Sequence, residues 1–505
     1  MNIPSSRRDR RQIVLGAIAP LVLVAAITAW NLAHKSIWVD EAYSLSTAAH
    51  HPLPETIRRA IRFELQPPLY FGLLNLWLRI SPGLGFGRAF SMLCSMGTVL
   101  FLWASARQLQ LRNAWVISWL AALTPGVIWA ASEMRGYALG MLLVAASGRY
   151  FLRVTREGPP RTRDLAAYAV TALAALLTYY YAGFVLAGHW LAAMIAKRNR
   201  RQLTIALAIA AVSFMPFVPT VIGQVVAHPN PVRDTLASSP PRLDLYHARM
   251  TWLQGVIGEH AVTVESPNLI FLLIVSPLIL IPGVPGLVRR SPSAGITGEG
   301  NGQTVLVIVA ALVPLLAIGM LRATSVVLVE ARHTLIALPP FLLMSVALVS
   351  GTRWRVPAGA CLVALVGAVS VSLAIDEHTG LQTADWKSAG AYLSAHALID
   401  EPILVSPSYD VLPLAYYYPR TSAIVQIPGA IRFDTADFAP VHIRDTAQLA
   451  RSIDSAVRHG RFWMVEGRTE FSKERLLLNT FLESRYRTIA DSSVLTIRMQ
   501  HLEAR

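Results

Sequence analysis

The first residues that could do chemistry are an acidic pair, Asp40 and Glu41, in the motif WVDEAYS at residues 38–44, directly after an apolar segment. Two adjacent carboxylates at such a boundary can activate a hydroxyl group or bind a divalent cation. They can equally well form the N-cap and acidic first turn of a helix. The pair alone leaves these alternatives open.

A third carboxylate, Glu64, follows in the motif FELQPPLY at residues 63–70. The two prolines can start a helix, because proline is tolerated in the first helical turn. In the preceding segment, 54–63, isoleucine and alanine alternate with arginine at helical spacing, which indicates an amphipathic helix at a membrane interface. Such a helix can also be a lipid anchor and nothing more. Its polar face carries Arg58, Arg59 and Arg62.

Basic residues occur at two further boundaries, in SEMRGY at residues 132–137 and in EARH at residues 330–333. Arginine binds phosphate through several donors at once, so Arg135 and Arg332, with the adjacent His333, are candidates for an anionic ligand. The alternative is an ion pair with the glutamate of the same motif.

The remaining polar signals are weaker. Three tyrosines at residues 179–181 are typical of an interfacial aromatic belt. His189 lies within an apolar run, where a packed, hydrogen-bonded histidine is the more common case. His50 and His51 have no further ligands at helical spacing, and the two cysteines lie in separate apolar runs. We therefore predict neither a metal site nor a disulfide framework.

Composition indicates the scaffold that must hold these motifs. Of 505 residues, 54% are hydrophobic and only 15% are charged, against about 25% charged in soluble globular proteins. This is the composition of a polytopic membrane protein. The formal net charge of +15 comes largely from arginines between the apolar runs. Because that is the positive-inside distribution, we predict no nucleic-acid partner.

Eleven apolar runs are long enough to span a bilayer, which takes roughly 20 residues. They lie at 13–30, 87–107, 113–131, 134–152, 164–180, 181–197, 203–222, 268–288, 303–321, 333–350 and 356–374. The run at 67–80 would cover only about 21 Å, so we predict a juxtamembrane or re-entrant helix on the outer face. With a cytoplasmic N-terminus, every strong basic cluster then lies inside.

From residue 376 onward the pattern changes. Short segments with strand character at 401–406, 422–427, 461–465 and 494–499 alternate with amphipathic helices at 446–459 and 473–487. This alternation predicts a small α/β domain without a nucleotide-binding motif. We therefore expect an α-helical polytopic membrane domain at residues 1–375 and an extracytoplasmic α/β domain at residues 376–505.

The order of the motifs resembles the GT-C superfamily of membrane glycosyltransferases, in particular the branch of protein O-mannosyltransferases and lipid A aminoarabinose transferases. The resemblance rests on Asp-Glu after the first span, an acidic residue before Pro-Pro-Leu-Tyr, Ser-x-x-Arg-x-Tyr at the second outer turn, and Glu-x-Arg-His before a late span. It covers most of residues 13–375. It implies a GT-C fold and transfer of a sugar from a polyprenyl-phosphate carrier on the outer membrane face.

The resemblance also implies roles for the acidic residues. Asp40 matches the catalytic acidic residue of the first outer loop, with Glu41 beside it, and Glu64 matches the second acidic residue of that loop. Gln66 departs from the family pattern, in which a His or Lys often precedes Pro-Pro, so a charged role at that position is in doubt.

Donor binding is implied for the basic motifs. Arg135, Arg332 and His333 match positions at which the family contacts the donor phosphate. Tyr137 follows Arg135 in the same motif, and Tyr70 ends the Pro-Pro-Leu-Tyr motif; we assign both to substrate binding as well.

The function implied by the resemblance is that of an inverting, polyprenyl-phosphate-sugar-dependent glycosyltransferase in a bacterial inner membrane, with its C-terminal domain in the periplasm. The acceptor can be a glycolipid, a polysaccharide or a protein. No cofactor is implied with certainty, and a divalent cation stays open. The alternatives are a lipid-linked-sugar flippase or transporter, which should carry polar groups near the midplane of its spans, and a non-catalytic scaffold of the cell envelope.

The topology can be tested with a reporter enzyme that is active only in the periplasm. Fused after Asp376, the reporter should be active, and fused after Arg201 it should be inactive, because the basic clusters orient the spans. The opposite pattern would make residues 67–80 a membrane span and reverse the side on which every candidate motif lies.

Overall fold

The chain divides into two compact units in the computed structural model. The first comprises Met1–Leu32, Gln66–Trp77 and Gly85–Ala374, and the second Ala33–Leu65, Leu78–Leu84 and Ile375–Arg505. Most of the predicted outer loop at residues 31–86 therefore belongs to the second unit, although it precedes residue 375 in the chain, whereas Gln66–Trp77 belongs to the first. The structure describes residues 13–111, 113–227, 299–324, 331–350, 355–378, 384–433, 441–457, 460–467 and 472–505.

Helices are the regular elements of the described part of the chain before the tail. A helix suits an apolar environment, because it satisfies its backbone polar groups within one segment. In chain order they are α1 (Ala19–His34, preceded by a π-helical turn at Val14–Ile18), α2 (Val39–Ala48), α3 (Leu53–Arg62), α4 (Pro68–Leu78), α5 (Leu84–Gln108), α6 (Ala114–Leu123), α7 (Pro125–Ala131), α8 (Tyr137–Val154), α9 (Thr162–Thr178), α10 (Ala182–Ala196), α11 (Arg200–Phe214), a 3-10 turn (Met215–Phe217), α12 (Val218–Ala227), α13 (Glu299–Thr324), a 3-10 helix (Ala331–Ala337), α14 (Leu338–Ser350) and α15 (Arg355–His378).

Helices occupy ten of the eleven predicted spans, and the other, 268–288, lies outside the described residues. By length and composition, four described helical stretches can cross a membrane: Val14–Leu32, Leu84–Gln108, Arg200–Gln224 and Arg332–Ser350. The pair α6 and α7, bent by 62°, counts as a fifth if its halves form one span. The total of eleven spans and their orientation stay predictions. The run at 67–80 forms the short helix α4.

Small residues allow α10 and α13 to approach closely in the first unit. A Cβ atom built on Gly188 would lie only 2.8 Å from the backbone oxygen of Ala310. Ala192 and Ala311 are fully buried in the same core. Such contacts between small residues are the usual means by which helices pack in a membrane, where a hydrophobic driving force between helices is lacking.

A five-stranded mixed sheet forms the core of the tail. Its elements are α16 (Trp386–His396), β1 (Ile403–Ser406), α17 (Val411–Tyr417), β2 (Ile424–Gln426), α18 (Thr446–Ala456), β3 (Arg461–Glu466), α19 (Ser472–Arg485), β4 (Tyr486–Val494) and β5 (Ile497–Ala504). The strand order is β2-β1-β3-β5-β4. β1 is parallel to β2 and β3, and β5 is antiparallel to β3 and β4. The predicted α/β fold of the tail is confirmed.

Both faces of this sheet are covered, which explains why all four residues of β1 are buried. Trp386 of α16 and Leu414 of α17 pack on one face. Leu449 of α18 and Phe481 of α19 pack on the other. Parallel strands covered on both faces carry continuous apolar runs, which is why β1 could be recognised in the sequence.

The predicted strand at 494–499 is wrong, because residues 495 and 496 form the turn between β4 and β5. Leu495 adopts the left-handed conformation in this turn, with φ at 54°. β4 itself gives no strand signal, since its sequence, YRTIADSSV, is mostly polar and partly exposed. The predicted helix at 473–487 ends earlier, at Arg485, and β4 begins at the next residue, Tyr486.

Gly188→Ala should separate α10 from α13 and lower the melting temperature of the purified protein, because overpacking costs about 1–3 kcal/mol. Gly183→Ala on the same helix is the matched control, since its Cβ would meet Leu176 Cδ2 at an ordinary 3.7 Å. Equal melting temperatures for the two variants in detergent would contradict the close helix contact.

Candidate active site

The acidic pair opens α2. Helix α2 begins at Val39, its N-cap residue is Trp38, and Asp40 and Glu41 lie in its first turn. Neither carboxylate is therefore the N-cap, although both interact favourably with the helix dipole from the first turn. Successive helical residues project about 100° apart. Accordingly Glu41 is completely buried, whereas Asp40 is only half-buried.

Glu64 lies just after the end of α3, and its side chain contacts α2. Its carboxylate oxygen Oε1 accepts a hydrogen bond from Thr47 Oγ1 of α2 at 2.9 Å. Its backbone N–H donates to the carbonyl of Arg59 at 3.1 Å. The next residue, Leu65, has a φ of 52°, a left-handed conformation that is uncommon without glycine. Such local strain is typical of functional sites.

Tyr43 of α2 connects the acidic positions. Its side chain is buried, and its hydroxyl donates to the carbonyl of Tyr409 at 3.1 Å. Burial raises the pKa of the Tyr43 phenol above its usual range, and the charges of Asp410, Asp40 and Glu64 raise it further. Within the second unit, two of the predicted carboxylates are thus in electrostatic reach of one phenol. Neither Tyr43 nor Asp410 stands out as a site residue in the sequence.

Arg135 lies in the turn between α7 and α8 of the first unit and is only 7% exposed. Its backbone N–H donates to the carbonyl of Glu133 at 2.9 Å, and Tyr137 follows as the first residue of α8. Tyr70 of α4 packs against this turn, since a Cβ atom on Gly136 would lie 3.4 Å from its ring. The turn therefore brings together residues from two of the sequence motifs.

The 3-10 helix before α14 carries Arg332 and His333. The imidazole ring of His333 stacks on Tyr181, with 5.0 Å between centroids and 16° between planes. Tyr179 lies 6.2 Å from His333 and 5.9 Å from Tyr137, measured between ring centroids. Tyr179, one of the tyrosines predicted to form an interfacial belt, therefore lies near both of the motifs that are candidates for donor binding.

One of the arginines predicted on the polar face of α3 is buried. Arg59 is only 9% exposed, and its Nη1 donates to the carbonyl of Ser46 at 3.0 Å and contacts His51 Nε2. Its guanidinium also lies 5.3 Å from the ring centroid of Phe433. Burial and the charge of Arg59 lower the pKa of His51. Arg59 is thus packed against protein, whereas the sequence placed it only on the polar face of an amphipathic helix.

The remaining histidine candidate is a packed residue, as its position in an apolar run predicts. His189 is buried, stacks on Phe151 with centroids 4.4 Å apart, and lies 3.2 Å from the hydroxyl of Tyr168 through Nδ1. In the part of the chain that the structure describes, no group of three or more His, Cys, Asp or Glu residues could hold a metal ion.

Arg88, near the start of α5, is a charged residue that belongs to none of the sequence motifs described above. Its side chain is completely buried. A buried guanidinium is stable only with hydrogen-bonding or charged partners. Its position could have drawn attention to it, because arginine is rare within membrane spans and often functional there.

Comparison with known proteins adds evidence on the fold. No protein-family model matches the chain, and no curated protein gives a significant match. The crystal structure of ArnT from Cupriavidus metallidurans in the apo state matches with a TM-score of 0.54 and 12% identity, over 96% of this chain and 97% of that chain. The structure of ArnT bound to undecaprenyl phosphate matches with a TM-score of 0.53, also at 12% identity, over 97% of each chain.

The chain has a GT-C fold. The fold predicted from the order of the motifs is therefore confirmed, and the match extends through the tail, since it covers nearly the whole of both chains. The archaeal oligosaccharyltransferase AglB from Archaeoglobus fulgidus matches less well, with a TM-score of 0.48 and 11% identity over 89% of this chain and 69% of that chain. At these identities the likeness concerns the fold and not the reaction.

Proposed function

We propose that the protein is an integral-membrane glycosyltransferase of a bacterial inner membrane. It moves a sugar from a polyprenyl-phosphate-linked donor to a hydroxyl or phosphate group of an acceptor on the outer face. The acceptor belongs to a glycolipid, a polysaccharide or a protein. The proposal is carried by one observation: in a chain with a GT-C fold, the carboxylate of Glu64 is hydrogen-bonded to Thr47 of α2, the helix whose first turn carries Asp40.

The donor side of the proposal rests on the first unit. ArnT, which shares the fold, has been crystallised with undecaprenyl phosphate, a polyprenyl phosphate. A phosphate leaving group needs its negative charge stabilised in the transition state. Arg135 and Arg332 can do this through charge-assisted hydrogen bonds, and His333 offers a third donor group. Tyr70 packs against Gly136, which follows Arg135 in the turn, and Tyr137 begins the next helix.

The acceptor side rests on Asp40. Because Asp40 is half-buried, its carboxylate can meet a substrate, whereas Glu41 is completely buried and supports the helix turn. Asp40 accepts the proton of the acceptor hydroxyl while that oxygen bonds to the anomeric carbon of the sugar. The bond from that carbon to the phosphate oxygen breaks, and polyprenyl phosphate leaves. Attack opposite the leaving group inverts the anomeric configuration.

Asp40→Asn tests the role of Asp40 as the base. The amide keeps the size of the side chain but cannot accept the proton, so turnover should fall by roughly 10²–10⁴-fold. The measurement is the release of polyprenyl phosphate by purified enzyme, with lipid-linked sugars extracted from host membranes as donors. Binding of undecaprenyl phosphate should not change.

Glu55→Gln on the next helix is the matched control, because Glu55 pairs with Arg58 at the surface of the same unit. Its turnover should equal that of the wild type. If Asp40→Asn also turned over at the wild-type rate, the assignment of the base would be wrong, and Glu64 would be the next residue to test.

Arg135→Ala should weaken the binding of undecaprenyl phosphate by about 1.5–3 kcal/mol, the usual loss for a hydrogen bond to a charged group. Arg135→Lys should restore binding only in part, since lysine lacks the planar fork of donors. Titration of both purified variants with undecaprenyl phosphate, together with their melting temperatures, separates a binding defect from misfolding. Wild-type affinity in both variants would favour an ion pair of Arg135 within its own turn.

A further inference from the structure

Helix α2 is too short to hold Asp40 in position by itself. It has ten residues, and its N-cap residue, Trp38, makes no side-chain capping bond. Isolated helices of fewer than about 12–15 residues are marginal in water. The orientation of Asp40 must therefore come from contacts that α2 makes with other elements of its unit.

The side chain of Tyr43 makes one of these contacts. Tyr43 lies one turn after Asp40 on α2, and its ring meets Phe63 edge to face, with centroids 5.2 Å apart at 87°. Phe433, from the tail, lies 6.3 Å from the Tyr43 ring and 5.1 Å from that of Phe63. The hydroxyl at the end of the ring donates to the carbonyl of Tyr409.

The carbonyl that receives this hydrogen bond is itself held by the sheet of the tail. Tyr409 lies in a 3-10 turn at Ser408–Asp410, just after β1. The backbone N–H of Asp410 donates to the carbonyl of Pro407 at 3.0 Å. The hydroxyl of Ser408 donates to the carbonyl of Ile427, just after β2, at 2.9 Å. The acceptor of the Tyr43 hydroxyl is thus fixed to the carboxyl ends of two adjacent parallel strands.

Two hydrogen bonds secure the segment that leads into α2. The backbone N–H of Ile37 donates to the hydroxyl of Tyr417 at 3.0 Å. The backbone N–H of Lys387 donates to the hydroxyl of Ser36 at 3.2 Å. Both contacts join residues before α2 to helices of the tail, α17 and α16. The tail therefore holds α2 both at its entry and through its buried face.

Asp410, the residue after Tyr409, is buried at the end of the sheet. It is 3% exposed, and burial raises the pKa of its carboxyl above the usual range. Gly467, directly after β3, leaves the space for it, since a Cβ atom there would lie 1.8 Å from Asp410 Oδ2. The turn that carries the Tyr409 carbonyl is therefore packed against the end of β3 as well.

We propose that Tyr43 is a positioning residue for the transfer reaction, through which the α/β domain of the tail sets the orientation of the helix that carries Asp40. The inference rests on the proposed function and adds a role for the tail. Tyr43 does not itself transfer a proton, because its hydroxyl is committed as a donor to Tyr409. Its effect on the reaction passes through the placement of Asp40.

Tyr43→Phe is the test, because it keeps the ring packing and removes only the hydroxyl. The catalytic constant should fall about tenfold, since small misplacements of a reacting group are costly. The KM for the lipid-linked donor should stay within about twofold. Tyr416→Phe is the matched control, because Tyr416 is an exposed tyrosine on α17 of the same unit, and its kinetics should match those of the wild type.

A double-mutant cycle separates positioning from a general structural role. If Tyr43 acts through Asp40, Tyr43→Phe should cause less than about a twofold further loss in the Asp40→Asn background. A general loss of structure would instead lower both backgrounds by the same factor, and that result would overturn the inference. Wild-type turnover in Tyr43→Phe would overturn it as well.

Tyr417→Phe provides a second, independent variant should Tyr43→Phe be poorly folded. It removes the hydroxyl that accepts from the backbone of Ile37, and the same fall in the catalytic constant is expected. The two proposals fail in different ways. Wild-type turnover in Asp40→Asn would reject the proposed function, whereas an inactive Asp40→Asn enzyme with a fully active Tyr43→Phe enzyme would reject only the positioning role.

Discussion

The interior of a bilayer offers no hydrogen bonds to a polypeptide, and the arrangement of the whole protein depends on that constraint. Segments that cross it must be helices, and their side chains must be nearly free of charge. Where a polar group does lie inside the helical core, it needs partners, as His189 has in Tyr168 and Phe151. The candidate site residues Asp40 and Arg135 accordingly lie at a helix end and in a turn.

The candidate chemistry is divided between the units by charge. The carboxylates Asp40 and Glu64 belong to the second unit, whereas Arg135 and His333 belong to the first. Each group has local support of a different kind. Asp40 lies in the first turn of α2, and Glu64 accepts a hydrogen bond from the hydroxyl of Thr47, whereas His333 stacks on Tyr181.

Much of the fold could be predicted because its signals are local. Apolar runs of the right length mark the helices of the first unit, and β1 and β3 read as strands because they are buried on both faces. β4 could not be recognised, since a polar, half-exposed strand is specified by its partner β5 and not by its own residues. The GT-C fold was predictable for another reason. The order of the short motifs along the chain resembles that family, whereas hydrophobic periodicity indicates only single helices and strands.

Candidate site residues could be named only where residue type alone is conspicuous. A pair of carboxylates or an arginine at the end of an apolar run stands out in a sequence, and so Asp40 and Arg135 could be named as candidates. Tyr43 looks ordinary, because its proposed role depends on a contact with Tyr409, 366 positions later in the chain. The burial of Arg59 depends in the same way on distant partners, including Phe433. The residue pattern of one segment does not show which residues of a distant segment will pack against it.

The distance along the chain between α2 and its supports has a consequence for biosynthesis. Helix α2 leaves the ribosome among the first fifty residues, but Tyr409 and Tyr417, which hold it, are made more than 350 residues later. Contacts of such long range form late, because a chain is synthesised from its N-terminus and distant segments meet only after both exist. A chain that stops short of its tail therefore lacks the partners of α2. Only a completely synthesised molecule can assemble this part of the site.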